Sequence, residues 1–239
     1  MEVLIFRMPI YFGNDSGIWL VILAAILGVI AQSAVQNTYK RYSRTMSRSG
    51  VTAAQAANIV LQSQGVYDVT IARVRGNLTD HYDPRSKTLR LSDGVCESSS
   101  IAALGIAAHE AGHAIQHAQG YGPLMLRNSI VPVVNFGSKA SMPLLLIGLF
   151  LNSYYLALLG VALYGLAVAF QLITLPVELN ASKRAMQALT ASGLLAQDEA
   201  PKARKVLNAA ASTYMVAALA AVAQLLRLLS IVGSSKRRD

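Results

Sequence analysis

Apolar runs of bilayer length alternate with polar stretches along this chain. Residues 17–36 carry no charge, and Trp19 stands near the start of the run, where an aromatic anchor meets a membrane surface. A run of this length matches the ~20 residues a helix needs to cross hydrocarbon. Two further runs, residues 129–151 and 154–175, are separated by Asn152 and Ser153, which predicts a tight helical hairpin. The first of these is the weaker span. It holds Pro132, Pro143 and Lys139, and a lysine at bilayer depth has to snorkel or pair. The last run, residues 214–232, carries Gln224 and Arg227.

Residues 49–128 have the patterning of a compact, water-exposed segment. Thr52 is placed to cap a helix ending near Gln62, with Ala56, Ile59 and Val60 on one face. Residues 68–74 are rich in β-formers, and Gly76 and Asn77 then mark a turn. Residues 79–82 and 87–91 read as a hairpin closed around residues 83–86, so a small β-ribbon is expected. In it Leu89 and Leu91 alternate with Arg90 and Ser92, which predicts one wet face. Ser98, Ser99 or Ser100 can cap the next helix, which Gly120 ends. Pro176 suits the first turn of a later helical stretch that breaks near Gly193.

Composition supports the membrane reading. Apolar residues make up 54% and charged residues 14%, where a soluble domain has about a quarter charged. Mean hydropathy is +0.42. The net charge of +9 sits beside the apolar runs, at Lys40, Arg41, Arg44 and Arg48 and again at Lys236, Arg237 and Arg238. Such flanks suit anionic lipid, so the lipid bilayer is an expected partner and nucleic acid is not. The basic residues follow the first run, which favours a retained anchor over a cleaved signal peptide. They also mark its cytoplasmic end and put the N-terminus outside. Four crossings would then leave the basic C-terminal tail outside, against the same rule. Three readings stay open: the last run does not cross, residues 129–151 do not cross, or the rule is overridden. Cys96 has no partner cysteine and is expected to be a packing residue.

The candidate chemistry lies in the helix before Gly120. It is alanine-rich, and its ionisable residues are His109, Glu110, His113 and His117. The segment His109-Glu110-Ala111-Gly112-His113 is H-E-x-x-H. Residues four apart lie one helical turn apart on one face, so both imidazoles can reach a single zinc ion. Glu110 is offset by one position and can take a proton from a water beside the metal. His117 is too far away to share that ion, since a straight helix puts it ~12 Å from His109. A catalytic zinc takes three protein ligands. Glu178 is the best remaining candidate, although an acidic residue in a first helical turn also has a plain explanation in the helix dipole.

The run DHYDPRSKTLRLSDGV followed by SSSIAALGIAAHEAGHAIQ, ending at Gln116, together with PVELNASKRA from Pro176 to Ala185, resembles the YugP-type family of bacterial membrane zinc metallopeptidases. More distantly it is similar to gluzincin membrane proteases. The resemblance implies a neutral zinc peptidase in the bacterial plasma membrane, multi-pass, with Glu178 as third ligand. The implied fold is mainly α and integral to the membrane, with transmembrane helices around a zincin-like cytoplasmic core. That core holds the β-ribbon and the H-E-x-x-H helix. Its divisions would be residues 1–16 outside, 17–36 an anchor, 37–128 the peptidase core, 129–175 a two-span hairpin, 176–211 the third-ligand segment and 212–239 the apolar end and tail. His81, Tyr82 and Arg184 fall within the family-like blocks and are candidates to hold an oxyanion. Asn180 is a candidate for orienting a ligand. The strand at 87–91 is a candidate to pair with an extended protein or peptide substrate. The expected activity is endopeptidase cleavage of membrane-associated or unfolded proteins. The alternatives are a scaffold or chaperone with a structural metal, a small transporter, and an intramembrane protease.

Overall fold

In the computed structural model, residues 17–236 are described, and side chains through residue 234. Helix α1 spans Gly17–Tyr42 and α2 spans Ala53–Ser63. Strands β1 (Thr70–Val74), β2 (His81–Asp83) and β3 (Thr88–Ser92) follow. Then come the short α3 (Asp93–Cys96), α4 (Ile101–Ala118), α5 (Gly122–Phe150), α6 (Tyr154–Ala191) and α7 (Ala200–Lys236). Among the described residues, α1, α5, α6 and α7 are long and apolar enough to cross a membrane.

Local chemistry sets several of these boundaries. Thr52 caps α2 in a full capping box. Its hydroxyl accepts from the Gln55 N–H, and the Gln55 side chain accepts from the Thr52 N–H. Ser100 caps α4 by accepting from the Ala103 N–H. Gly120 follows α4 at φ +62°, a backbone conformation that glycine adopts without strain.

Helix α4 is the centre of the core. Ile101, Leu104 and Ile115 are fully buried against Val60 and Leu61 of α2, Leu89 and Leu91 of β3 and Leu189 of α6. Burial of each such side chain contributes about 1.5–3 kcal/mol. The remaining positions of α4 are mostly alanine and glycine, which lets α2, α6 and α7 pack closely around it. A backbone bridge between Met46 and Ser100 ties the end of α1 to the start of α4. Buried Glu199 ties the same region to α7. It accepts from the N–H groups of Arg48 and Ala196, both at 2.9 Å, and from the Ser47 hydroxyl.

Several sequence expectations change here. The ribbon is a three-stranded mixed sheet in the order β1-β3-β2. β3 pairs antiparallel with β2 and parallel with β1, so it is central and both its edges are occupied. Strand 87–91 therefore has no free edge for a substrate. Ser92 is buried rather than wet, because Asp80 accepts from its N–H at 2.7 Å and its hydroxyl at 2.9 Å. Ile59 is exposed and lies off the buried face of α2. Pro176 lies inside α6 rather than at a helix start. A proline within a helix removes one backbone hydrogen bond and costs ~3 kcal/mol. Burial of the apolar side chains of Val177 and Ala181 just after it offsets that cost. The hairpin of α5 and α6 begins at Gly122 and its second arm runs to Ala191, so residues 128/129 and 175/176 are not element boundaries. Residues 211/212 likewise lie within α7. The expected outer segment, residues 1–16, and Arg237 and Arg238 of the tail lie outside the described residues.

Candidate metal centre

One turn of α4 separates His109 from His113, so both rings leave the same face. Their centroids are 4.8 Å apart and their planes nearly perpendicular, at 85°. Glu178 comes in from α6 and is 3% exposed. Its Oε2 lies 3.2 Å from Nε2 of His109 and 3.5 Å from Nε2 of His113. One ligand atom from each of the three residues lies within 4.8 Å of the others. Donors at ~2.0–2.1 Å from a tetrahedral zinc stand about 3.3 Å apart, so the two separations from Glu178 fit that ion. Two imidazole nitrogens and one carboxylate oxygen also match the donor set of open, catalytic zinc sites.

The two histidines are held at their far nitrogens as well. Nδ1 of His109 is 3.1 Å from the Ser182 hydroxyl. Nδ1 of His113 is 3.0 Å from Oε1 of Gln116. Helix α6 therefore contributes Glu178 and, one turn on, Ser182 to the same face. Burial opposes a charge on His113. The hydrogen bond to Glu178 and the nearby Glu110 carboxylate outweigh it and hold the His113 pKa above the ordinary histidine range.

A cavity of about 170 Å³ opens over these side chains. Glu110 lines it beside His109, His113 and Glu178, as do His81 and Tyr82 from β2, Arg127 from α5 and Tyr214 from α7. Tyr214 also interacts directly with Glu178. Two larger clefts, about 520 and 430 Å³, run along α6 and include none of His109, Glu110, His113 and Glu178.

The remaining candidates separate clearly. His81 faces the cavity with its Nδ1 bonded to the Thr79 carbonyl at 2.8 Å. The Tyr82 hydroxyl is engaged with Nδ1 of His117 at 2.9 Å. Burial, then the Asp68 and Asp83 carboxylates, push the Tyr82 pKa up to about 12, so this hydroxyl stays protonated. His117 serves that contact and lies outside the metal cluster. Arg184 does not line the cavity. Its Nε donates to Oδ1 of Asn180 at 2.7 Å and its Nη1 to Gln119. Asn180 in turn accepts from Gln116 at 3.0 Å.

A sequence profile of the family described as "Putative neutral zinc metallopeptidase" matches residues 17–233. The chain belongs to this family. The "Putative membrane protease YugP" of Bacillus subtilis (strain 168) is 47% identical over 214 residues, covering 90% of this chain and 95% of that protein. No solved structure matches the chain.

Sequence reasoning had not singled out Gln116, Arg127 or Tyr214 in this family member. Gln116 left a usable signal, since it is a polar residue three positions after His113 on an otherwise apolar helix. Arg127 and Tyr214 left none. They enter the cavity from α5 and α7, far along the chain from the H-E-x-x-H segment.

Proposed function

We propose that this chain is a membrane-anchored zinc endopeptidase, acting at the cytoplasmic face of a bacterial plasma membrane on membrane-associated or unfolded proteins. The observation that carries the reading is the meeting of His109, His113 and Glu178 from two distant helices, with Glu110 in the same cavity. Zinc held there supplies Lewis acidity, which polarises a carbonyl and makes water a nucleophile near neutral pH. Glu110 accepts the proton of the attacking water and delivers it to the leaving amine. Tyr214 and His81 face the same space and can donate to the carbonyl oxygen as it gains charge. Of the two outer strands of the sheet, β1 and β2, it is β2 that lies beside the cavity, so an extended substrate is expected to align along its edge.

The length of α6 supports a site at the membrane surface. At 1.5 Å per residue, Glu178 is about 36 Å along the helix from Tyr154, more than the ~30 Å of a hydrocarbon core. Intramembrane proteolysis is disfavoured for that reason. The basic residues Lys40 and Arg41 in the last turn of α1, and Arg44 and Arg48 just after it, lie at the end of that helix nearest α4, which supports the cytoplasmic assignment. A structural-metal scaffold would need a fourth protein ligand. Among the described residues, the cluster contains His109, His113 and Glu178 only.

The test uses the full chain in detergent with unfolded casein as substrate. The wild type should bind zinc and cleave casein, and a chelator should abolish cleavage. Glu110→Gln should retain zinc and lose cleavage by ~10²-fold or more. Undiminished cleavage by that variant would remove Glu110 as the base, and unchanged zinc content in Glu178→Ala would remove the third ligand.

A further inference from the structure

Gln116 is fully buried, and each of its polar atoms has a directional partner. Its Nε2 lies 2.9 Å from the Val177 carbonyl and 3.0 Å from Oδ1 of Asn180. Its Oε1 faces Nδ1 of His113 at 3.0 Å. The orientation of this amide follows from chemistry. A guanidinium only donates, so the Asn180 atom that faces Arg184 Nε must be the oxygen. The Val177 carbonyl only accepts. Both neighbours of the Gln116 amide nitrogen are therefore acceptors, and that atom must be the NH2 group. Its oxygen is left to face His113, where it can only accept.

We infer that Gln116 is a positioning residue that fixes His113 as the Nδ1-protonated tautomer and so leaves Nε2 as the metal-binding nitrogen, with Arg184 and Asn180 setting the polarity of the chain of hydrogen bonds. The inference deepens the zinc-peptidase reading and rests on it. Two features make the arrangement more than local packing. Val177 is next to Glu178, so Gln116 fastens the His113 ring to the turn of α6 that carries the third ligand. The chain of hydrogen bonds also reaches Arg184, a side chain outside the metal cavity that is itself anchored by Gln119 and by the ring of Tyr121. His109 is held differently, by Ser182 directly, and a hydroxyl can donate or accept. It imposes no tautomer, so the polarity of the site is set through His113.

The experiment measures zinc affinity of the full-length protein in detergent by competition with a chromophoric chelator, alongside nitrogen-15 spectra of labelled histidine in the zinc-loaded form. Gln116→Met keeps similar volume without an acceptor or a donor. It should weaken zinc binding by ~10–100-fold, the usual effect of losing an outer partner of a metal-binding histidine. In the wild type, His113 should show a protonated Nδ1 and a coordinated Nε2, and in Gln116→Met a mixture. Asn180→Asp still accepts from both Gln116 and Arg184, and should rescue the affinity that Asn180→Leu loses. This pair decides the question should Gln116→Met fail to fold. Wild-type affinity in Gln116→Met with His113 still bound through Nε2, or equal affinity in both Asn180 variants, overturns the inference. A wild type that binds no zinc overturns the proposed function itself, and is thereby told apart from a failure of the Gln116 assignment alone.

Discussion

Gly112 of the H-E-x-x-H segment lies directly against the backbone of Ala181: a Cβ at position 112 would stand 2.7 Å from the Ala181 carbonyl oxygen. That contact sets the separation of α4 and α6, and with it the reach of Glu178 to the two histidines. The contact is backbone, so no side chain can rotate away to make room. Gly112→Ala should push the helices apart and weaken zinc binding by at least about 10-fold, as misplaced ligands do. Far-UV circular dichroism should remain that of the wild type. Unchanged zinc affinity would show that the helices yield without disturbing the site.

Two tyrosines at the cavity are predicted to differ in effect. The hydroxyl of Tyr82 is committed to His117, whereas that of Tyr214 sits over the Glu178 end of the site. Tyr82→Phe should cost ~1–3 kcal/mol of stability by stranding a His117 nitrogen, with modest loss of cleavage. Tyr214→Phe should keep zinc and stability and lower kcat by ~10²-fold, the usual loss for one oxyanion donor. Chemical denaturation and steady-state kinetics on both variants check this. The reverse pattern would move the electrophile to Tyr82.

The raised pKa of His113 gives the zinc-free protein a distinct pH response. Its folded state holds that proton more tightly than the unfolded chain does. The stabilisation is fully present below the unfolded value of about 6.5 and is lost as pH rises through the higher folded value. Zinc competes with the same proton. The gap in Tm between zinc-loaded and chelator-treated protein should therefore widen as pH rises through the folded pKa and level off above it. Thermal unfolding across that range, with and without chelator, measures it. A gap that narrows with rising pH would contradict the arrangement.

Glu199 is 3% exposed and satisfies two backbone N–H groups and a hydroxyl at the junction of the α1–α2 link with α7. Glu199→Ala leaves the two N–H groups without that acceptor, while the Ser47 hydroxyl keeps the Leu194 carbonyl, and should cost ~1–3 kcal/mol. The neighbouring Arg48–Asp198 pair is bidentate, at 2.9 and 2.8 Å, but exposed. Asp198→Ala should cost under ~1 kcal/mol, because water screens such pairs. Urea unfolding of the two variants distinguishes them.

What could be read along the chain was whatever depends on near neighbours. The caps at Thr52 and Ser100, the turn at Gly120, the four apolar helices and the pairing of β2 with β3 all follow from spacing within a few residues. So does the placement of His109 and His113 on one face of α4. The parallel pairing of β1 with β3 was hidden because a whole strand lies between them in sequence. The continuation of α6 through Pro176 was hidden because burial against other helices, not local propensity, holds it together.

By itself the amino-acid order determined a membrane-bound chain with two imidazoles and a carboxylate on one buried helix, since helical periodicity alone aligns them. Tertiary packing decided how the site closes. Glu178 meets His109 and His113, and Gln116 meets His113 and Val177, only because glycine and alanine let α4 and α6 touch backbone to backbone. Distances between segments so far apart along a chain are set by that close approach, and no local pattern encodes them.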